Sequence, residues 1–375
     1  MMKSLLVSAI ALIGITLSGV ASAHEVKPIT PELAEQYGLD RSFFKKGTMA
    51  EGIFIATSDK VSDYAHLEAA YQFGNIMAVL KPAIAKRIRD GKVLCILVGH
   101  KELTSDIPQF KSDKVGKELD FYNWRSRGFL TLIDKRPTVL FAEEDVLEFE
   151  GGMQRESILI HEFGHVIHRP GFPGGFDEEL MKTWKAAKKA GLWNDGYASQ
   201  RFRRVRGDQP VLLLDALVKA FPDQSPEFLR KCLDSGDIIV NGKPSNSKVK
   251  VTEKDQVRIV FGGPKDCYAS KNRGEYFAEI VQSWFNTNRT MDHDHNHIDT
   301  REELKAYDPG AYRFLQKIFK DDPWRFISPR KRAGQGHLKG YDPKTAPVVV
   351  QPDFIKDAAN DYYDQYWADY WKRLK

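Results

Sequence analysis

The feature that most constrains this chain is an apolar run at residues 158–167 that carries two histidines and a glutamate. His161 and His165 are four residues apart, so in a helix they share one face, with their Cβ atoms about 5–6 Å apart. The residues around them are isoleucine, leucine, phenylalanine and valine, which predicts a buried helix. Pro170 and Gly171 predict where that helix ends.

Two imidazoles at this spacing can be the first two ligands of one zinc ion. Glu162 follows His161 directly, where its carboxylate can reach a water activated by the metal without binding the metal itself. A buried helix that matches the pattern by chance is the alternative. The motif predicts that His161 and His165 bind Zn²⁺ and that Glu162 is a general base.

A catalytic zinc site needs a third protein ligand and one open position. One class of metallopeptidase takes this ligand from a histidine ten residues after the first, but that position is Gly171 here. His168 lies near the same face as His165, one turn further along the helix. We predict that His168 supports the ligands and does not bind the metal.

A better candidate for the third ligand lies downstream, where residues 268–281 have helical periodicity. Glu275 and Glu279 are four residues apart on a largely apolar face. Buried carboxylates are costly unless another group pairs with them. A zinc ion and a zinc-bound histidine would pair with these two.

These motifs resemble the catalytic domain of anthrax lethal factor and related gluzincin metallopeptidases. The matching segments are residues 161–165 and residues 275–279, with Tyr268 seven residues before the second segment. The resemblance implies that Glu275 is the third zinc ligand and that Glu279 orients a ligand histidine. It also implies that the Tyr268 hydroxyl lies near the oxyanion of the tetrahedral intermediate.

The order of predicted elements before the motif indicates a small sheet with helices. We predict an ordered arm at 24–50, loops at 99–128 and a helix at 62–89 that Pro82 kinks or splits. Strands are predicted at 52–56, 93–98, 129–133 and 138–142, with 93–98 central because it is apolar throughout. We therefore predict an α+β, zincin-like domain with a small mixed sheet, active-site helices and a helical lower subdomain. An edge strand would pair with a peptide substrate.

A separate module is predicted at residues 210–262, between the two motifs. Helices at 211–221 and 226–234 precede strands at 238–243, 249–251 and 257–261, with Ser225 capping the second helix. The module resembles the S4 RNA-binding-like domain, particularly that of pseudouridine synthases. The resemblance is carried by Leu214-Asp215, Phe221-Pro222-Asp223, residues 237–243 and Asp255-Gln256-Val257.

The ligand of this module is left open by the sequence. Pro226 and Glu227 stand where S4 domains usually have a basic residue, which weakens the case for phosphate binding. RNA binding is therefore the minor alternative, and positioning of a substrate, a partner or a cell-wall polymer is the main one. An upstream basic cluster either binds a polyanion or is a solvated connector: Arg201, Arg203, Arg204 and Arg206.

Residues 1–23 have the pattern of a cleaved signal peptide. Lys3 precedes an apolar stretch at 5–20, and Ala21-Ser22-Ala23 fits a cleavage site that leaves His24 as the N-terminus. An uncleaved membrane anchor is the alternative. We expect an exported protein, periplasmic or extracellular, without a transmembrane segment in the mature chain. The net charge of +5 does not by itself imply a nucleic-acid partner.

The three cysteines do not form a disulfide framework. Cys95 lies in an apolar run and is predicted to be a buried hydrophobic residue. A bridge between Cys232 and Cys267 stays open as an alternative in an oxidising compartment.

The last part of the chain, residues 263–375, carries the predicted third ligand and further helices. A loop containing His293, His295 and His297 is either an accessory metal site or a polar loop facing solvent. Residues 300–319 predict two helices joined at Asp308-Pro309, which would close the lower half of the cleft. Residues 354–370 predict an amphipathic helix.

Taken with the upstream part at 24–209, these features predict a secreted zinc metalloendopeptidase with one catalytic ion and a peptide or protein substrate. Two alternatives come from other classes of protein. One is an exported, non-catalytic binding protein that uses the S4-like module to hold a polyanion or partner. The other is an exported zinc-handling protein that uses the histidine-rich loop.

Overall fold

The computed structural model describes residues 24–125, 127–194, 199–201, 209–221, 224–241, 243–252, 255, 257–260, 266–290 and 295–350. Several predictions concern residues outside these ranges: the signal peptide, the C-terminal amphipathic helix, His293, and the arginines at 203, 204 and 206. Within the described residues, no helix is both long enough and apolar enough to cross a lipid bilayer.

A six-stranded mixed sheet dominates the first part of the chain. Its strands are β1 (Lys27–Pro28), β2 (Lys46–Ala50), β3 (Ile53–Thr57), β4 (Leu94–Val98), β5 (Phe129–Ile133) and β6 (Arg136–Ala142). Their spatial order is β1-β2-β3-β4-β6-β5, with β3, β4 and β6 parallel and the other pairs antiparallel. All five side chains of β4 are buried, so the prediction of a central strand is confirmed.

The helices associated with this sheet are α1 (Pro31–Tyr37), α2 (Asp63–Val79), α3 (Pro82–Asp90), α4 (Gly116–Arg125), α5 (Glu143–Val146), α6 (Ile158–Val166) and α7 (Phe176–Lys189). The predicted break at Pro82 is confirmed, because α2 ends at Val79 and Pro82 begins α3. Phe73 of α2 packs between Phe141 of β6 and Phe163 of α6, with ring centroids 6.2 and 4.9 Å apart. This contact places α6 against the core of the sheet.

Two predictions for this region were wrong. The expected arm at 24–50 contributes strands β1 and β2 to the sheet, and its polar residue Thr48 is buried beside His66. The expected loop at 99–128 contains helix α4 and two short 3-10 turns. Strand β2 was missed because its polar residue Thr48 is paired in the core, which breaks the apolar pattern of a buried strand. Helix α4 was missed because it is largely half-buried and therefore has no apolar stripe.

The predicted inserted module has its own hydrophobic core. Its elements are β7 (Ser199–Arg201), β8 (Val211–Leu212), α8 (Leu213–Ala220), α9 (Pro226–Asp234), β9 (Ile238–Val240), β10 (Lys243–Pro244), β11 (Lys250–Val251) and β12 (Val257–Val260). Strand β7 precedes the predicted start at residue 210 and pairs with β12. The Ser225 cap is confirmed, whereas the first helix starts at Leu213 because Val211–Leu212 pairs with β11.

The remaining helices are α10 (Arg273–Trp284), α11 (Arg301–Tyr307) and α12 (Pro309–Ile318). The two predicted helices within 300–319 are confirmed, with Thr300 and Asp308 as their N-caps. The prediction of one helix from Tyr268 was wrong: residues 268–270 form a 3-10 turn. Helix α10 starts at Arg273 because the Asn272 side chain accepts from two backbone N–H groups of its first turn.

All three cysteines are buried and none is in a disulfide, so the Cys232–Cys267 bridge is not formed. The architecture is mixed α+β with a small mixed sheet.

Candidate metal centre

The site is built where helices α6 and α10 approach each other closely. Gly164 of α6 faces Ala278 of α10, and a Cβ added to Gly164 would lie 3.0 Å from the Ala278 Cα. A larger residue at 164 would push the two backbones apart. This close approach brings the face of α6 that carries the two histidines against the face of α10 that carries the two glutamates.

Three side chains predicted as metal ligands converge at this crossing. The Glu275 Oε2 atom lies 3.4 Å from His161 Nε2 and 3.3 Å from His165 Nε2. One ligand atom from each residue lies within 4.8 Å of the other two, the only such group of three among the described residues. Glu275 Oε2 is buried and accepts no well-aligned hydrogen bond from the residues that the structure describes.

The position of Glu275 relative to the two histidines fits a tetrahedral zinc ion. Ligand atoms about 2.0–2.1 Å from a tetrahedral centre are separated from one another by about 3.3–3.4 Å. The two measured N···O distances, 3.3 and 3.4 Å, match that separation. Nitrogen and carboxylate donors are also the types that zinc prefers.

The second nitrogen of His161 is oriented by a residue that the sequence analysis missed. Gln282 is fully buried, and its Oε1 lies 2.8 Å from His161 Nδ1. Its Nε2 donates to Glu156 Oε2 at 2.9 Å and to the Ser157 carbonyl at 3.3 Å, which orients the amide oxygen toward the histidine. Nδ1 therefore donates to Gln282, and Nε2 is the nitrogen that faces Glu275.

A signal for Gln282 was present in the sequence. It lies three residues after Glu279 on a helix whose neighbouring positions are apolar, so the two side chains share a face. Glu279 itself is buried, with Oε1 3.3 Å from His161 Nδ1. The predicted carboxylate is thus present, but the amide of Gln282 is the closer partner.

The other oxygen of Glu279 contacts the histidine-rich loop. Its Oε2 accepts from Asn288 Nδ2 at 3.1 Å and lies 3.2 Å from His295 Nε2. Burial acts to raise the pKa of Glu279, but His295 and His161 outweigh it and lower the pKa overall. The carboxylate therefore stays ionised between two imidazoles.

The expectation that the histidine-rich loop faces solvent needs correction where the structure describes this loop. His295 is 3% exposed and His297 is exposed, so only His297 matches the expectation of a loop facing solvent. Neither belongs to a second group of metal-binding side chains within the described residues. His295 instead adds a buried imidazole to the surroundings of Glu279.

Glu162 lies beside the cluster without joining it. It is 9% exposed, and its carboxylate has no hydrogen bond or ion pair within the described part of the chain. Burial raises the pKa of Glu162, and the nearby His161 and His165 only partly oppose this. A Cβ added to Gly128, the residue before strand β5, would lie 3.7 Å from Glu162 Oε1, so the carboxylate lies where the edge strand begins.

Tyr268 is also placed next to the cluster. Its ring centroid lies 6.1 Å from that of His161 and 6.4 Å from that of His295. Burial and the neighbouring carboxylates of Glu275 and Glu279 raise its pKa. The phenol therefore stays protonated and available as a hydrogen-bond donor.

His168 points away from the three converging ligand atoms. Its Nε2 lies 2.7 Å from Asp177 Oδ1, and Asp177 is held by two further bonds from Arg273 at 2.8 and 2.9 Å. The trio links the turn after α6 to the first turns of α7 and α10.

Comparisons with protein-family profiles, with curated proteins and with solved structures found no match, so the function has to be inferred from the site itself.

Proposed function

We propose that this protein is a zinc metalloendopeptidase of the gluzincin type, exported through a cleaved signal peptide at residues 1–23. The convergence of His161, His165 and Glu275 beside a buried Glu162, which has no hydrogen bond or ion pair among the described residues, is the observation that carries the proposal. A protein that only binds metal needs His161, His165 and Glu275 alone. The presence of Glu162 as a general base favours hydrolysis over metal handling.

A bound zinc ion would supply a Lewis acid that makes water more acidic and polarises a carbonyl group. Glu162 accepts a proton from the attacking water and passes it to the leaving amine, a role that suits its raised pKa. The Tyr268 hydroxyl donates a hydrogen bond to the oxyanion of the tetrahedral intermediate. Gln282 and Glu279 hold His161 in the orientation and tautomer that leave Nε2 free as a ligand.

An extended peptide is the substrate that the surroundings of the site favour. Strand β5 pairs with β6 on one side and lies at the edge of the sheet. Gly128, the residue before this strand, lies close to the Glu162 carboxylate. A peptide that paired with this edge would present its backbone carbonyls along the cleft. We further propose that the module containing α8 and α9 positions the substrate or a partner.

The proposal is tested by metal analysis combined with a peptide-library cleavage assay. The wild-type protein is expected to hold one zinc per chain and to cleave peptides. Glu275→Ala should lose both properties, whereas Glu162→Gln should keep the metal and lose nearly all cleavage.

Three outcomes would contradict parts of this proposal. Cleavage by Glu162→Gln would exclude the general-base role. Zinc retained by Glu275→Ala would mean that another residue is the third ligand. Zinc without cleavage in the wild type would favour a binding protein, and several weakly held ions would favour metal handling.

A further inference from the structure

A pocket of about 360 Å³ lies beside the proposed metal centre. Its walls come from helix α3, the turn after α6, and the first turns of α7 and α10. The charged and titratable residues that line it are Arg87, His168, Arg169, Asp177, Glu178 and Arg273.

Gly274 lies between the pocket and the three candidate metal ligands. This residue lies between Arg273, which lines the pocket, and the proposed ligand Glu275. A Cβ added to Gly274 would lie 3.8 Å from His168 Nδ1 and 3.9 Å from His165 Cε1. Any group bound in the pocket would therefore lie within a few residues' reach of a peptide at the metal centre.

The charges in the pocket are not balanced. Arg273 and Asp177 neutralise each other through a two-bond contact. Arg87 and Arg169 are exposed, and neither side chain has an ion pair or hydrogen bond within the described part of the chain. Glu178 is the one other carboxylate among the residues that line the pocket. With Arg273 and Asp177 balanced, two arginines and one glutamate remain in the lining, which leaves a net positive charge.

We propose that this pocket binds a carboxylate group of the peptide substrate and so gives the enzyme a preference for acidic peptides. The inference rests on the proposed peptidase function. Guanidinium groups bind carboxylates through paired, charge-assisted hydrogen bonds, and arginine is better suited to this than lysine. The carboxylate can belong to an aspartate or glutamate side chain or to the C-terminus of a peptide.

The test measures binding separately from cleavage. A set of fluorescent, amidated hexapeptides is made in an alanine background, with a single glutamate that occupies a different position in each peptide. Each of these peptides is compared with a matched peptide that has glutamine at the same position. Affinities are measured by fluorescence anisotropy on the Glu162→Gln variant, which is expected not to cleave the peptides. We expect at least one glutamate peptide to bind about tenfold more tightly than its glutamine partner, with the difference shrinking at high salt.

Arginine variants locate that preference in the pocket. Arg87→Gln combined with Arg169→Gln should bring the glutamate-to-glutamine affinity ratio close to one. Arg89→Gln is the matched control, because Arg89 lies on the same helix, pairs with Glu51 and does not line the pocket. Thermal unfolding of each variant shows whether it is folded.

The sources of the carboxylate are separated by repeating the measurement with free C-termini. A preference that follows the glutamate side chain in amidated peptides supports side-chain recognition. A preference that requires a free C-terminus and is lost in the double arginine variant supports recognition of the terminus. Equal binding of all peptides, or a preference that survives in the double variant, overturns the proposal. Cleavage without any such preference would contradict the pocket proposal but not the peptidase function. Carboxylate binding without zinc or cleavage would contradict the peptidase function but not carboxylate binding in the pocket.

Discussion

Replacing Gln282 with leucine tests how the proposed metal centre is held together. The substitution removes the acceptor 2.8 Å from His161 Nδ1 and the donor 2.9 Å from Glu156 Oε2. A buried polar group left without its partner costs about 1–3 kcal/mol. Loss of a residue that orients a metal-bound histidine typically weakens metal binding by about 10- to 100-fold, or about 1.4–2.7 kcal/mol.

The structure places the expected loss near the lower end of that range. Glu279 Oε1 lies 3.3 Å from the same nitrogen and can still accept its proton when Gln282 is absent. Glu156 also keeps its ion pair with Arg289 at 2.7 Å. We therefore expect Gln282→Leu to weaken zinc binding about tenfold.

The measurement is a zinc titration in competition with a chromophoric chelator. Gln282→Glu keeps an acceptor for His161 but places a second carboxylate against Glu156, so it should bind zinc better than the leucine variant and be less stable. Ser283→Ala serves as a control, since the Ser283 hydroxyl bonds to the Glu279 carbonyl and not to His161. A leucine variant whose zinc affinity stays within twofold of wild type would refute the reasoning.

Three further predictions concern stability. Burial, assisted by Lys46, lowers the pKa of His66 to about 3, so the unfolded chain takes up a proton as pH falls below about 6.5 while the folded chain does not. Unfolding free energy should therefore drop by about 2 kcal/mol from pH 7 to pH 5 on account of this residue, as urea titrations would show. Gly164→Ala should destabilise by about 1–3 kcal/mol in the same assay, because its Cβ would lie 3.0 Å from the Ala278 Cα. Free zinc at 100 times its dissociation constant should raise the unfolding free energy by about 2.7 kcal/mol, an effect absent in Glu275→Ala.

Matched variants sharpen these tests. His66→Gln should remove its share of the pH dependence, and an unchanged slope would exclude His66 as the cause. Gly74→Ala on α2 meets only His24 Nε2, at 3.8 Å, so it should stabilise by about 0.5–1 kcal/mol. If both alanine variants behave alike, the close approach of α6 and α10 does not matter for stability.

Local chemistry in the sequence was sufficient to predict several elements. The apolar run with Pro170-Gly171 behind it predicted the buried helix, which is α6 as far as Val166 and continues as a π-helical turn that ends at Gly171. Pro82 predicted the break between α2 and α3. The Ser225 cap depends on a side chain and backbone three residues apart, so short-range information decides it.

Two other features were mispredicted, one because its partner is distant in the chain and one because a local cap overrode the apolar pattern. Thr48 is polar, yet it lies in a sheet strand because His66 satisfies its hydroxyl in the core. The start of α10 at Arg273 was missed because the Asn272 cap competes with an apolar periodicity that extends upstream. In both cases the sequence pattern was real, but a specific hydrogen bond decided the outcome.

The sequence by itself determined the chemical groups of the site: two imidazoles four residues apart, a neighbouring carboxylate, and a pair of carboxylates on a downstream helix. Only the tertiary structure decided that Glu275 reaches both histidines and that Gln282, more than Glu279, orients His161. The physical reason is the close packing of α6 on α10, which the absence of a side chain at Gly164 permits. Helical periodicity specifies which residues share a face, whereas the distance and register between two faces depend on packing across the core.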